Sequence, residues 1–172
     1  MKFALDNPNS LHRLVVVDIM PTAYSAKRSR GVTEYVQAVR LLDENMPRDH
    51  VEALRKLEAS FPDKMVREHI VSNLVADPAN PERLKWKINS AAITEWLPRL
   101  LENDVVGRHP SSEVPLLLLG GSKVSYVTER RVPEVRRLFP KLTVHLLPTG
   151  HWVHYEEPHQ FLQLVSKFLV EN

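Results

Sequence analysis

The sequence predicts an α/β fold: three parallel strands with flanking helices and a largely helical insertion after the first strand. Three observations point to it. Leu14–Ile19, Leu116–Leu119 and Leu142–Leu147 are short apolar runs of strand length. The first, Leu-Val-Val-Val-Asp-Ile, is β-branched and apolar on both faces, as in a parallel sheet covered on both sides. Between and after these runs, apolar residues recur at helical spacing, so strands and helices alternate.

Taken in order, Met1 to Leu5 reads as the end of a helix, stopped by Asp6-Asn7-Pro8 because proline cannot continue it. A doubly apolar strand normally follows others in its sheet. The expectation is therefore that Met1 lies inside a longer fold. From Thr22 to about Asp104 the pattern is helical, with helices expected over Val32–Asn45, Arg48–Ser60 and Lys64–Ala76, bounded by Pro47, Pro62 and Pro78. Leu84-Lys85-Trp86-Lys87-Ile88 alternates and fits an edge strand or an extended linker, and Ala91–Asn103 is helical. After the second strand comes a Gly120-Gly121 turn, then a helix through Val132–Phe139 that Pro140 stops. The third strand is followed by a helix in which Phe161, Leu164, Val165, Phe168 and Leu169 share a face. Two domains are expected: a core of residues 1–21 and 105–172, and a helical block of residues 22–104.

Composition narrows the function classes. Of 172 residues, 43% are hydrophobic and 26% charged, which is ordinary for a globular protein that builds a core. The net charge of +2 comes without a basic stripe interleaved with aromatics, which argues against a nucleic-acid partner. The basic run Lys27-Arg28-Ser29-Arg30 is expected to be a solvated loop. The absence of cysteine excludes disulfides, thiol catalysis and thiolate metal sites. No apolar stretch approaches the ~20 residues needed to cross a bilayer. Neither a signal nor a transit pattern opens the chain, which reads as soluble and untargeted. His151, His154 and His159 with Glu156 and Glu157 match no H-E-x-x-H spacing, and Pro158 interrupts any helix that would carry them. No metal is expected. Trp86, Trp96 and Trp152 are expected to be packing residues.

Four stretches carry the chemistry: "LVVVDIMP" (Leu14–Pro21), "VREHIVSNL" with "LKWKIN" downstream, "LLLLGGSKVSYV" (Leu116–Val127) and "GHWVHYEEP" (Gly150–Pro158). In this order they resemble the C-terminal half of an α/β-hydrolase. The likeness is to the branch of bacterial short-chain acyl esterases, mitochondrial abhydrolase-domain proteins and yeast ethanol acetyltransferases. The resemblance spans nearly the whole chain. It implies a truncated α/β-hydrolase fold in which the three strands are the sixth to eighth of the family sheet and residues 22–104 are a cap.

The resemblance also implies roles. Asp18 matches the acid after the sixth strand, and His151 matches the base in the late loop. The turn after the seventh strand, Gly121-Ser122-Lys123-Val124-Ser125-Tyr126, holds no carboxylate, which favours Asp18. A carboxylate bonded to one ring nitrogen would fix the tautomer and steady the imidazolium during acyl transfer. Trp152 and Tyr126 are assigned to the substrate pocket. The nucleophile should sit on a G-x-S-x-G elbow, and the sequence contains none. The family's spacing places that serine upstream of Met1, together with both oxyanion donors.

The implied activity is hydrolysis or transfer of a small acyl group from an ester or thioester. No cofactor is implied. The 172-residue chain alone is expected to be inactive. The alternative is a non-catalytic pseudo-hydrolase fragment or binding module, from an alternative start or a truncated gene model. A third reading keeps catalysis with another nucleophile, for which Ser122 is the nearest imitation of an elbow. Family resemblance suggests the mitochondrion, and otherwise the cytoplasm. The apolar strand Val15–Ile19 is expected to be an open sheet edge, lacking the usual protection against strand addition, through which the chain self-associates.

Overall fold

The computed structural model describes residues 1–21, 26–101, 111–124 and 126–170. The chain forms two compact units, one of Met1–Ala23 with Asn103–Asn172 and one of Tyr24–Glu102. The domain limits expected at residues 22 and 104, and Ser125, fall outside the described residues.

The first unit is built on a parallel sheet in the order β1-β4-β5, where β1 is Leu14–Val17, β4 Leu116–Gly121 and β5 Leu142–Leu147. Leu14 to Val17 pair with Leu116 to Leu119, and Leu116 to Gly121 pair with Leu142 to Leu147. Every residue of β4 is buried. That follows from its central position and from apolar cover on both faces. On one face Val16, Leu116, Leu118 and Leu142 pack against Ala4 and Leu5 of α1 (Lys2–Asp6) and against Val135 and Leu138 of α6 (Val132–Leu138), with Phe139 completing the cluster. On the other, Leu117, Leu119 and Leu147 meet Phe161, Leu164, Val165 and Phe168 of α8 (Pro158–Val170). The period of two along the strand divides the leucines between the two layers. Each fully buried leucine contributes about 1.5–3 kcal/mol.

Two expected boundaries in this unit move. The first strand stops at Val17 rather than Ile19, because Asp18 takes a left-handed backbone (φ 49°) and Ile19 turns outward, 39% exposed. The second strand runs on through Gly121, so the expected Gly120-Gly121 turn is strand backbone paired with Leu146 and Leu147. Glycine in a strand permits close approach of another backbone.

The second unit combines α2 (Ala26–Glu44), α3 (His50–Leu57), α4 (Lys64–Val71) and α5 (Ser90–Leu101) with an antiparallel hairpin of β2 (Leu74–Asp77) and β3 (Asn80–Trp86). Leu42, Ala53, Leu57, Ile70, Leu74 and Leu84 form its core. Asp49 caps α3 by accepting the Glu52 N–H at 2.8 Å, and Asp63 caps α4 by accepting the Met65 N–H at 2.8 Å.

The helix expected over Lys64–Ala76 ends at Val71, and Leu74–Asp77 is a strand. The side chains of Ser72 and Asn73 both donate back to the His69 carbonyl, at 2.8 and 3.0 Å, and close the helix. Asp77 then accepts the Ala79 N–H at 3.1 Å and turns the chain beside Pro78. Of the two readings left open for Leu84–Ile88, the strand forms for Leu84–Trp86, the end of β3, and Lys87 and Ile88 lie beyond it. The basic run Lys27–Arg30 lies in α2 rather than in a loop; lysine and arginine are good helix formers, and the single Gly31 costs only about 1 kcal/mol. Trp86 packs on the core and donates its indole N–H to Asp43 at 2.5 Å, whereas Trp96, expected to be a packing residue, keeps 49% of its surface exposed.

Candidate active site

Parallel strands deliver their C-terminal ends to one edge of the sheet, and in α/β folds sites form there. Asp18 follows β1, Gly121 ends β4, and His151 follows β5. The Asp18 N–H donates to the Leu119 carbonyl at 2.7 Å, extending the ladder by one residue before the chain turns. Among non-glycine residues, aspartate and asparagine accept that left-handed turn most readily.

The Asp18 side chain is fully buried, and both of its oxygens are engaged. Oδ1 accepts the Gly121 N–H at 3.0 Å, and Oδ2 lies 2.7 Å from His151 Nδ1. A buried carboxylate requires such partners. An ionised carboxylate only accepts, so Nδ1 is the donor in this contact, and in a neutral imidazole that leaves Nε2 as the acceptor. The His151 side chain is 51% exposed, so the imidazole connects a buried acid to the surface.

A stacked side chain holds this ring, and hydrogen bonds hold the loop that carries it. Tyr126 stacks on the imidazole, with centroids 4.4 Å apart and planes inclined by 29°. The Gly150 N–H donates to Glu156 Oε2 at 2.8 Å, and the Thr149 carbonyl accepts the Lys123 N–H at 3.0 Å. Trp152, half-buried, precedes α7 (Val153–Glu156), and its carbonyl accepts the N–H groups of Tyr155 and Glu156, each at 2.9 Å.

The structure therefore brings Asp18, His151 and Tyr126 together. Gly121 and Glu156 were missed as site residues. For Gly121 a signal existed: paired glycines closing an apolar strand mark a close backbone approach. A Cβ on Gly121 would lie 1.9 Å from the Gly150 carbonyl oxygen. For Glu156 nothing local distinguishes it from the neighbouring Glu157. Ser122 donates its backbone N–H to Leu147 at 2.8 Å in the turn after β4. His154 packs edge-on against Phe161 with centroids 6.0 Å apart. Among the described residues, no three histidine, aspartate or glutamate side chains are grouped so as to hold a metal ion. Among them, no helix is long and apolar enough to cross a membrane.

No family model matches the sequence. The chain is 31% identical over 175 residues to sn-1-specific diacylglycerol lipase ABHD11 of Xenopus laevis, covering 98% of this chain and 54% of that protein. It is 29% identical to the abhydrolase domain-containing protein C22H12.03 of Schizosaccharomyces pombe, covering 98% of this chain and 62% of that protein. The chain thus spans little more than half the length of the curated relatives it matches. Among solved structures, a marine microorganism esterase superimposes with a TM-score of 0.89 at 22% identity, covering 97% of this chain and 64% of that one. An E-2-(acetamidomethylene)succinate hydrolase gives a TM-score of 0.66 at 20% identity, covering 98% and 61%. The parallel three-stranded sheet with flanking helices agrees with the fold of these solved structures. Over the length it spans, the chain has the α/β-hydrolase fold and is similar to abhydrolase-domain relatives.

Proposed function

We propose that this chain carries the acid and base of a serine-type ester or thioester hydrolase or acyltransferase. Asp18 orients His151, and His151 shuttles the proton between the serine, the leaving group and the incoming water or alcohol. The observation that carries the reading is the 2.7 Å contact between Asp18 Oδ2 and His151 Nδ1, formed by a fully buried carboxylate whose other oxygen is already held. Trp152 and Tyr126 line the acyl pocket in this reading. The unit Tyr24–Glu102 has the chain position of the family's cap, and shaping substrate access is its proposed role. The substrate is a small acyl ester or thioester; the frog relative's name makes a glyceride ester one compound to assay. Acyl transfer as well as hydrolysis, and a mitochondrial location, belong to the same proposal.

The nucleophile is part of the proposal too. No G-x-S-x-G occurs in the sequence, so the serine is proposed to lie outside these residues and the 172-residue chain to turn over no ester. The test is fluorophosphonate labelling of the purified chain, with mass spectrometry to locate any adduct. No labelling is expected. Stoichiometric labelling at Ser122 or any other serine would overturn the assignment, and an in-frame elbow in the coding sequence upstream of Met1 would support it.

A further inference from the structure

We propose that Glu156 is a positioning residue for the base: its carboxylate anchors the loop carrying His151 through the Gly150 N–H, and so holds the imidazole against Asp18. The proposal rests on the reading of His151 as the base. The geometry behind it is independent of that reading. Glu156 closes α7, where its own N–H donates to the Trp152 carbonyl at 2.9 Å, and its side chain folds back six residues to accept from Gly150 at 2.8 Å. The carboxylate packs close against the glycine, since a Cβ on Gly150 would meet Glu156 Oε1 at 2.8 Å.

The opposite side of the same loop is fixed by backbone. The Gly150 carbonyl oxygen packs against the Cα of Gly121, 1.9 Å from where a Cβ would stand, and the Thr149 carbonyl accepts the Lys123 N–H at 3.0 Å. Gly150 is thus held between β4 and the Glu156 carboxylate, one residue before His151. Removing the carboxylate takes away the acceptor of a half-buried N–H and frees that side of the loop. His151 Nδ1 must stay within hydrogen-bond reach of a carboxylate that cannot follow it, because Oδ1 of Asp18 is tied to Gly121. A residue that acts by such placement touches neither substrate nor the reacting atoms.

The test is NMR of the full chain with E156A and E156Q. In the unmodified chain, the Gly150 amide is expected to be protected from exchange and to show scalar coupling across the hydrogen bond to the Glu156 carboxyl carbon. The His151 Nδ1–H, bonded to a buried carboxylate, is expected to resonate far downfield. E156A should lose the Gly150 protection and broaden or abolish the downfield proton, while E156Q, whose amide oxygen can still accept, should retain both. E156A with unchanged Gly150 exchange and an unchanged downfield proton would overturn the proposal. If E156A does not fold, absence of the coupling and of Gly150 protection in the unmodified chain overturns it equally. In a protein that also contains the serine elbow, E156A should lower kcat/KM by about 100-fold, the scale of an ångström's misplacement, and E156Q should restore most of it. Activity that survives D18N and H151A would sink the proposed function instead, leaving the NMR result for Glu156 standing.

Discussion

Gly121→Ala is the most informative perturbation of this site. A Cβ there would lie 1.9 Å from the Gly150 carbonyl oxygen and 2.7 Å from that of Thr149, and both obstacles are backbone. To restore ordinary contact near 3.4 Å, the Gly150 carbonyl must retreat by about 1.5 Å. The next residue is His151, and a shift of that size would carry Nδ1 from 2.7 Å out of hydrogen-bond range of Asp18. Overpacking of this kind costs about 1–3 kcal/mol. Weakening the bond from the Gly121 N–H to a buried carboxylate adds about 1.5–3 kcal/mol if it is lost altogether. Gly120→Ala is the control, because its Cβ would meet only the side chains of Val127 and Leu146, at 2.7 and 2.9 Å. Urea denaturation should therefore show both variants destabilised. The downfield His151 Nδ1–H should vanish in G121A and persist in G120A. If G121A keeps that proton and loses less than about 0.5 kcal/mol, the scale of an ordinary surface change, the loop is not seated on Gly121 as argued.

Other consequences are equally open to measurement. Asp18→Ala removes the acceptor of the buried Gly121 N–H and should cost about 1–3 kcal/mol in chemical denaturation. Asp18→Asn tolerates the left-handed backbone and should stay folded, yet in a serine-bearing protein it should lower kcat by about 10,000-fold through the wrong tautomer. Asp49→Ala should destabilise α3 by about 1 kcal/mol, read from the melting of the second unit. The Glu52 carboxyl is held below its ordinary value of 4.5, first by the backbone N–H of Arg48 and then by the Lys56 side chain. A depressed carboxylate stabilises the fold above its unfolded pKa, and that contribution is lost as pH falls below about 4.5. E52Q should flatten this part of the acid titration of stability, and an unchanged profile would contradict it. Among the described residues β1 has a strand neighbour on one side only, so the chain is expected to self-associate through that edge. A monodisperse monomer in size-exclusion chromatography, with strongly protected amides from Leu14 to Val17, would refute this.

How much of this protein its residues announce depends on the range of the force involved. Apolar periodicity is local, and it placed α6, β5 and α8 and the apolar runs of β1 and β4 close to where they form. Resemblance to the α/β-hydrolases, carried by motifs in order along the chain, singles out Asp18 and His151. Local signals also misled where side chains competed with the backbone: Ser72 and Asn73 turn onto the His69 carbonyl and end a helix whose apolar pattern continues into β2. The site itself is a tertiary matter. Asp18 meets Gly121 across 103 residues and His151 across 133, distances at which no spacing rule applies. Only the parallel sheet, by bringing three strand ends to one edge, decides that a buried carboxylate has these two partners. Only that packing leaves no room for a Cβ on Gly121 and distinguishes Glu156 from Glu157, because a carboxylate's role is set by the donor it reaches and not by its place in the chain.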